Sequence, residues 1–504
     1  MVIVALLIVG GAVSFFALNP PLKQTGTTST TNTVDTTIAQ TTCPSLSPVK
    51  DVQINSTTYD AVTEFALPSN QSGPNAITVA PDGSVWFTEN GLPGIGHLYA
   101  NGTLNEYALP FTYSPDSGLC DTLTYDWGVA LWNGSAWAVD EDSGQIIGVN
   151  PSTGAITNIT LSSEVSPYTL AVGPDNRLYF TQFNEGPKIG RVSPGNDSIQ
   201  YLKLPGNSSW SSAYVLFQNS TTGYVLSINT FLRYPNAANS LIYSFNPELQ
   251  NPVFQQVGGN VSLNEPSSIA VGEGGIWLTE HSGSGLAFFN TTSSKWTMFP
   301  TSLVPYVPVT LTYFDVANAS AVWFNEHYGN KIGVIYDNGG RLTEYGVDNP
   351  PITNFTSVLE GVNTLTVGLG DGRLWFTQWT AGVVGFVNTS YSPPFSISPT
   401  GSAGASPTVS LAPGGSANLQ LQVVGHSSDN LSVQFSDNEQ GDGTPQNITF
   451  TPSLTSITQL NGSQPLSISI SAASVTPPGN YFAAVTVNNG LVLVSIYVTI
   501  DVTG

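Results

Sequence analysis

The sequence predicts an all-β chain: a seven-bladed β-propeller, then an immunoglobulin-like β-sandwich, with a hydrophobic helix at the N-terminus. Three observations lead there. Across residues 51–394 one pattern recurs: a short apolar strand, a Gly/Asp turn, an aromatic-rich strand ending in an acid or amide, then I-G-x-V. After Pro394 the recurrence stops and Ser/Thr/Gly-rich segments alternate with apolar residues. Ahead of both lies a run of about 17 apolar residues from Val2 to Leu18, at the short limit for a membrane span.

The clearest copies are "NAITVAPDGSVWFTENGLPGIGHLYANGTLNEYALP" from Asn75, "TLAVGPDNRLYFTQFNEGPKIGRVSPGNDSIQYLKLP" from Thr169 and "SIAVGEGGIWLTEHSGSGLAFFN" from Ser268. "AVWFNEHYGNKIGVIYDNGGRLTEY" and "TLTVGLGDGRLWFTQWTAGVVGFVN" continue the series. Weaker copies begin at Ser135 and Thr222. Their aromatic anchors, Trp86, Trp137, Tyr179, Tyr224, Trp277, Trp323 and Trp375, recur at intervals of 42 to 53 residues. Four short strands per period of this length mark propeller blades. The last copy lacks an outer strand of the "TEYxLP" type, and an orphan strand of that type, "AVTEFALP" at 61–68, precedes the first. Pairing the two closes the ring and removes an open sheet edge. Residues 395–504 hold alternating segments such as "ANLQLQVV", "LSISIS" and "VLVSIYVTI", the pattern of a β-sandwich.

The segment 1–22 lacks a basic region before its apolar run and a clear small-residue cleavage site. It reads as a membrane anchor or the hydrophobic tail of a processed surface protein, with a signal peptide as the alternative. Residues 23–50, Ser/Thr-rich with almost no apolar content, read as a flexible stalk. Lys and Arg total 11 against 33 Asp and Glu, a formal charge of -22, which excludes a phosphate-neutralising nucleic-acid surface. Sequons recur at Asn55, Asn70, Asn101, Asn133, Asn158, Asn196, Asn207, Asn219, Asn260, Asn290, Asn318, Asn354, Asn388, Asn430, Asn447 and Asn461. Their density points to a glycosylating export route, although an Asn/Ser/Thr-rich chain also produces sequons by chance. Cys43 and Cys120 are the two cysteines, and in an exported protein they read as one disulfide, with two free thiols as the alternative.

In a propeller blade the start of the innermost strand and the end of the second lie on one face of the ring. That face should carry Glu89, Asp140, Gln182, Glu280, Glu326 and Gln378, with His281, His327 and Trp379 immediately after three of them. Such acids either bind a ligand at the channel mouth or hold the fold together through buried hydrogen bonds. Grouped carboxylates would suit Mg²⁺ or Ca²⁺, added imidazole would admit Zn²⁺, and Trp379 could stack on a flat apolar ligand or sugar.

The W-F-T-E and I-G-R phrases of "ITVAPDGSVWFTEN" and "LAVGPDNRLYFTQFNEGPKIGRV" resemble blades of the virginiamycin B (streptogramin) lyases, over roughly residues 61–390. The resemblance implies a propeller and a magnesium-dependent elimination that opens a cyclic depsipeptide antibiotic. "NEPSSIAVGEGGIWLTEH" is similar to the late blade that carries two glutamates in that family, so Glu265 and Glu280 correspond to them. The family's histidine after the blade-opening proline is Ser267 here, and the other opening prolines precede Asn75, Tyr168 and Val309. Without those proton-transfer partners the expected function is a membrane-tethered, glycosylated extracellular protein that binds a partner, glycan or envelope component. The alternative is a divergent metal-dependent lyase or hydrolase using Glu265, Glu280 and His281 as catalytic groups, with a metal at Glu280 and Glu326.

Overall fold

The computed structural model describes residues 46–504 apart from 110–126, 142, 163–164, 183–185, 207–209, 230–239, 262–265, 267, 273, 281–284, 303–311, 318–320, 327–328, 337–339, 348–361, 368–371, 380, 402–405 and 438–446. In strands, the side chains of 260–261, 280, 312–317, 362–367 and 437 are also outside the description. The predicted anchor, Cys43, Cys120, Glu265, His281, His327, Asn207, Asn318 and Asn354 therefore lie outside the described residues. No described helix is long and apolar enough to cross a membrane.

The described elements are strands. Antiparallel sheets succeed one another along the chain, over 74–108, 129–160, 167–203, 210–261, 269–300, 312–346 and 362–388, the arrangement of a β-propeller. The innermost strands contact one another in cyclic order, and that of 362–367 returns to touch Pro74–Val79. The seventh sheet supplies three strands of its own, and Val62–Ala66 completes it by pairing with Val383–Asn388 in the register Val62↔Val387 to Ala66↔Val383. The orphan strand expected to close the ring thus does so. Residues 46–50, grouped with the stalk in the sequence, belong to the ordered body: Leu46 is buried and Val49–Gln53 pairs with Thr103–Ala108.

Each letter of the repeat has a packing reason. The phenylalanine of the second strand lies opposite the glycine of the third: Phe87↔Gly96, Phe180↔Gly190, Phe324↔Gly333 and Phe376↔Gly385. A Cβ on any of those glycines would collide with the facing ring, so I-G-x-V is the hole for W-F. The threonine of F-T-E serves the first strand, where a bulge after the opening proline frees a backbone N–H. Thr88 Oγ1 accepts from Ala76 N at 3.0 Å, Thr181 Oγ1 from Thr169 N at 3.0 Å, and Thr279 Oγ1 from Ser268 N at 3.1 Å. The arginine of I-G-R ties two sheets. Buried Arg191 donates to Leu249 O at 3.1 Å and Gln250 O at 2.6 Å, in the turn that joins two strands of the next sheet. Six of the seven aromatic anchors are buried, and Tyr224 is half-buried.

The C-terminal region forms two packed sheets. One runs Phe395–Pro399, Ser416–Ser427, Leu460–Ala472, Ile448–Pro452. The other does not stand apart from the propeller: Val492–Val502 pairs with Arg341–Gly346, the outer strand of the sixth propeller sheet, in the register Arg341↔Ile496 to Tyr345↔Val492. One nine-stranded sheet therefore crosses from propeller to sandwich. Tyr497 packs on Phe299 with ring centroids 5.2 Å apart, and its hydroxyl donates to Pro300 O at 3.1 Å. Tyr497 and Ala484 thereby join a core that also holds Trp277, Phe288 and Phe324.

Gly333→Ala places a methyl against the Phe324 ring. It is expected to destabilise the protein by about 1–3 kcal/mol, the usual cost of overpacking. Chemical denaturation of wild type and variant measures it, and an unchanged midpoint would contradict the ring-over-glycine account.

Candidate functional site

Side chains alternate along a strand, so the residue that ends each second strand shares a sheet face with its neighbour on the third strand and with one on the fourth. In the first sheet these are Glu89, Gly94 and Glu106. In the second they are Asp140, Gln145 and Asn158, and in the sixth Glu326, Lys331 and Glu344. In the seventh Gln378 shares its face with Val383 and Glu64, the last carried by the closing strand. The acid of "TEY" and the acid or amide of "FTE" are thus partners within one sheet.

These groups lie in the interior. Glu89, Gln182, Glu326 and Gln378 have no exposed surface, and Asp140 and Trp379 are almost as deeply buried. Asp140 caps its own turn, accepting from Ser143 N at 3.1 Å. Gln182 N–H donates to Ser212 Oγ of the next sheet at 2.8 Å. Gln378 Nε2 donates to Glu64 Oε1. Trp379 meets Trp127 edge-on at 5.7 Å, and Trp127 lies 6.0 Å from Tyr168, so aromatic rings cluster where the innermost strands begin. The Trp379 ring packs in that cluster and is not presented for stacking on a ligand.

The sixth sheet holds the most developed network. Lys331 Nζ sits 2.7 Å from Glu326 Oε2 and 2.9 Å from Glu344 Oε1, and donates to Ser302 Oγ at 2.6 Å and Ser302 O at 3.0 Å. All three charged groups are buried between the fifth and sixth sheets. Burial raises Glu326 well above the usual carboxyl range, against the pull of Lys331, and the neighbouring Glu344 raises it further. Burial alone would raise Glu344 as well, but Lys331 and hydrogen bonds from Glu326, Lys331 and Ser302 hold it low. Lys331 is raised because its two carboxylates outweigh desolvation. The opposite shifts favour the proton on Glu326 and the charge on Glu344, beside the Lys331 ammonium.

The first sheet has the same two carboxylates without the lysine. Both Glu89 oxygens are buried and have no hydrogen-bond partner among the described residues. Burial and the nearby Glu106 push Glu89 well up, and burial pushes Glu106 up to about 7.

One constellation was not singled out in the sequence. Ser84 Oγ donates to Asp82 Oδ1 at 2.5 Å and lies 2.7 Å from His97 Nε2. Burial drives His97 down to about 4, so the ring is neutral and its Nε2–H donates to Ser84. The residue types match a nucleophile triad, but the wiring does not: the carboxylate accepts the serine proton that a general-base imidazole would have to accept. Ser84 is buried and His97 stacks on Trp86 at 3.9 Å, so the set pins a turn. The sequence signal was the "PDGS" turn followed by the histidine of "IGH".

The catalytic set expected from the sequence, Glu265, Glu280 and His281, cannot be placed around a metal, because only the backbone of Glu280 is described. Among the described residues no three His, Cys, Asp or Glu side chains group to hold a metal ion. Glu326, expected as a metal ligand, does not fit that role, since the Lys331 ammonium already occupies the cation position beside its carboxylate.

No family model matches the chain, and no curated protein matches it. Among solved structures the chain is similar to streptogramin B lyase, at 22% identity and a TM-score of 0.49 over 65% of this chain and 97% of that one. Virginiamycin B lyase from Staphylococcus aureus is similar at 21% identity and 0.49, over 65% and 98%. YCF48 bound to a D1 peptide is similar at 14% and 0.47, over 68% and 100%.

Two outcomes follow from the paired acids. Lys331→Met strands two buried carboxyl groups and is expected to cost about 3–5 kcal/mol. Glu326→Gln puts an uncharged group of the same shape where the fold favours the protonated acid and should cost far less, and equal losses in thermal denaturation would refute a proton held on Glu326. In the first sheet the folded state binds protons more tightly than the unfolded chain. Its contribution is full below the usual carboxyl value of 4.5 and declines as pH rises through about 7. In chelator-containing buffer the melting temperature should fall across that window, and Glu106→Gln should flatten the fall.

Proposed function

We propose that this chain is a membrane-tethered, glycosylated extracellular binding protein. Its propeller has seven blades, its C-terminal module is an immunoglobulin-like sandwich, and the N-terminal apolar segment and stalk hold it at the cell surface. The partner is a cell-envelope protein or glycan. What carries this reading is the commitment of the strand-end acids to the fold. Glu326 is held by Lys331, Asp140 caps its own turn, and Gln378 is bonded to Glu64. Side chains so buried and paired brace the blades and leave the rim and loops to recognition, as suits a propeller used as a platform.

The sequon asparagines support the extracellular part. Asn55, Asn70, Asn101, Asn133, Asn158, Asn196, Asn219, Asn388, Asn430 and Asn461 are exposed, and the side chains of Asn290 and Asn447 are half-buried. Several sit in turns where Oδ1 accepts the N–H two residues on, as Asn101 does from Thr103 at 2.9 Å and Asn219 from Thr221 at 2.9 Å. That geometry leaves the amide nitrogen free to face solvent.

Incubation of the purified chain with a streptogramin B antibiotic and Mg²⁺ separates binding from chemistry. The antibiotic is expected to remain cyclic by mass spectrometry, while the chain retains envelope glycan or protein saturably in a pull-down. Linearised antibiotic would overturn the binding reading in favour of the lyase.

A further inference from the structure

The first and sixth propeller sheets carry an internal comparison. In the sixth, Glu326 stands opposite Lys331, and two residues further along that strand Gly333 stands opposite Glu344. In the first, Glu89 stands opposite Gly94, and two residues further along Gly96 stands opposite Glu106. The positions correspond one for one, and the lysine is the member that changes. The sixth sheet shows that two glutamates in this register accept a cation between them at 2.7 and 2.9 Å. The first sheet keeps both glutamates and has Gly94 where the lysine would stand, and the lysine of its added strand, Lys50, is exposed.

The surroundings of Glu89 point to a ligand as well. Its two oxygens, both polar side-chain atoms of Asn90 and Ser72 Oγ are fully buried and without hydrogen-bond partners among the described residues. They belong to one end of the sheet: Asn90 N–H donates to Gly73 O at 2.9 Å and Gly91 N–H to Ser72 O at 3.0 Å. Leu46 packs over Gly94 where a lysine stem would begin, which shields the pair from solvent. Unpartnered buried carboxylate, amide and hydroxyl groups are costly, and here they fall on neighbouring segments at one end of the sheet.

We propose that Glu89 and Glu106 form a cation site that takes Ca²⁺ or Mg²⁺ at the place where the sixth sheet holds the Lys331 ammonium. Two carboxylates balance a divalent charge. The neutral oxygens of Asn90 and Ser72 are further hard donors at that end of the sheet. Among the described residues no thiolate or imidazole shares that face, which sets the preference against softer metals. Val85 and Phe87, on the same sheet face as Glu89, pack with Trp375 and Val384 of the seventh sheet. The ion would therefore tie the second strand to the fourth at the junction where the ring closes.

The test uses the full chain stripped with chelator and dialysed into Ca²⁺ or Mg²⁺ at pH 8, with bound ion counted per chain and the melting temperature recorded. One retained ion is expected, with a rise in melting temperature. Both should be lost in Glu89→Gln and Glu106→Gln and kept in Glu326→Gln. A second variant keeps the result decisive if a glutamine variant does not fold. Gly94→Lys with Leu46→Ala, which clears room for the new stem, should reach the ion-loaded melting temperature without ion and retain none. Failure of the stripped wild type to take up an ion overturns the site. So does uptake that survives undiminished in both glutamine variants, which would place the ions on the acidic surface. If no ion binds and Glu106→Gln raises the melting temperature above pH 7, the pair holds protons in place of a metal.

Discussion

The constraint on which the propeller depends is that no sheet can bury both faces alone. Each presents apolar side chains to its predecessor and its successor, so an open series would leave two cores uncovered. The strand Val62–Ala66 removes that exposure by completing the seventh sheet from the opposite end of the propeller region. Its consequences reach past hydrogen bonding. It contributes Phe65 to a core shared with Trp375 and Phe87, and it delivers Glu64 to the position opposite Gly385 where Gln378 needs an acceptor. The segment just before it adds Leu46 and Val49–Gln53 to the first sheet, so both sides of the ring junction are built by one short N-terminal stretch.

Within that ring a single register is used in several chemical ways. The second-strand end and the fourth-strand residue facing it are two glutamates with a lysine in the sixth sheet, and two glutamates with a glycine in the first. In the seventh they are an amide and an acid, and in the second an acid and an asparagine. A buried carboxylate is tolerated only when a cation, a proton or a hydrogen-bond donor accompanies it. The geometry is inherited from the repeat, while the companion differs from sheet to sheet. This is why the acids recur in blades that share no common site.

The C-terminal sandwich is bound to the propeller by backbone as well as side chains. Because Val492–Val502 extends the sixth sheet, its edge never meets solvent, and its residues face a core on each side. The sequence carried a sign of this in "LVLVSIYVTI", a nearly continuous apolar run where a half-exposed strand would alternate. Two-sided burial does not say what lies on the second side, so the partner sheet was not legible.

The sequence by itself determined the all-β class, the blade period, the buried aromatic anchors and the closing strand. These are local patterns: strand alternation, turn residues and spacing act over a few residues and survive in one dimension. The tertiary structure alone decided the fate of the acids. "FNE" and "TEY" are 16 residues or more apart, and their meeting depends on two hairpins and a shared sheet face. Reading along the chain set Glu326 beside His327, whereas the fold sets it beside Lys331 and Glu344. Charge compensation in a dry interior is a property of distances across strands, and such distances are not written in the order of residues.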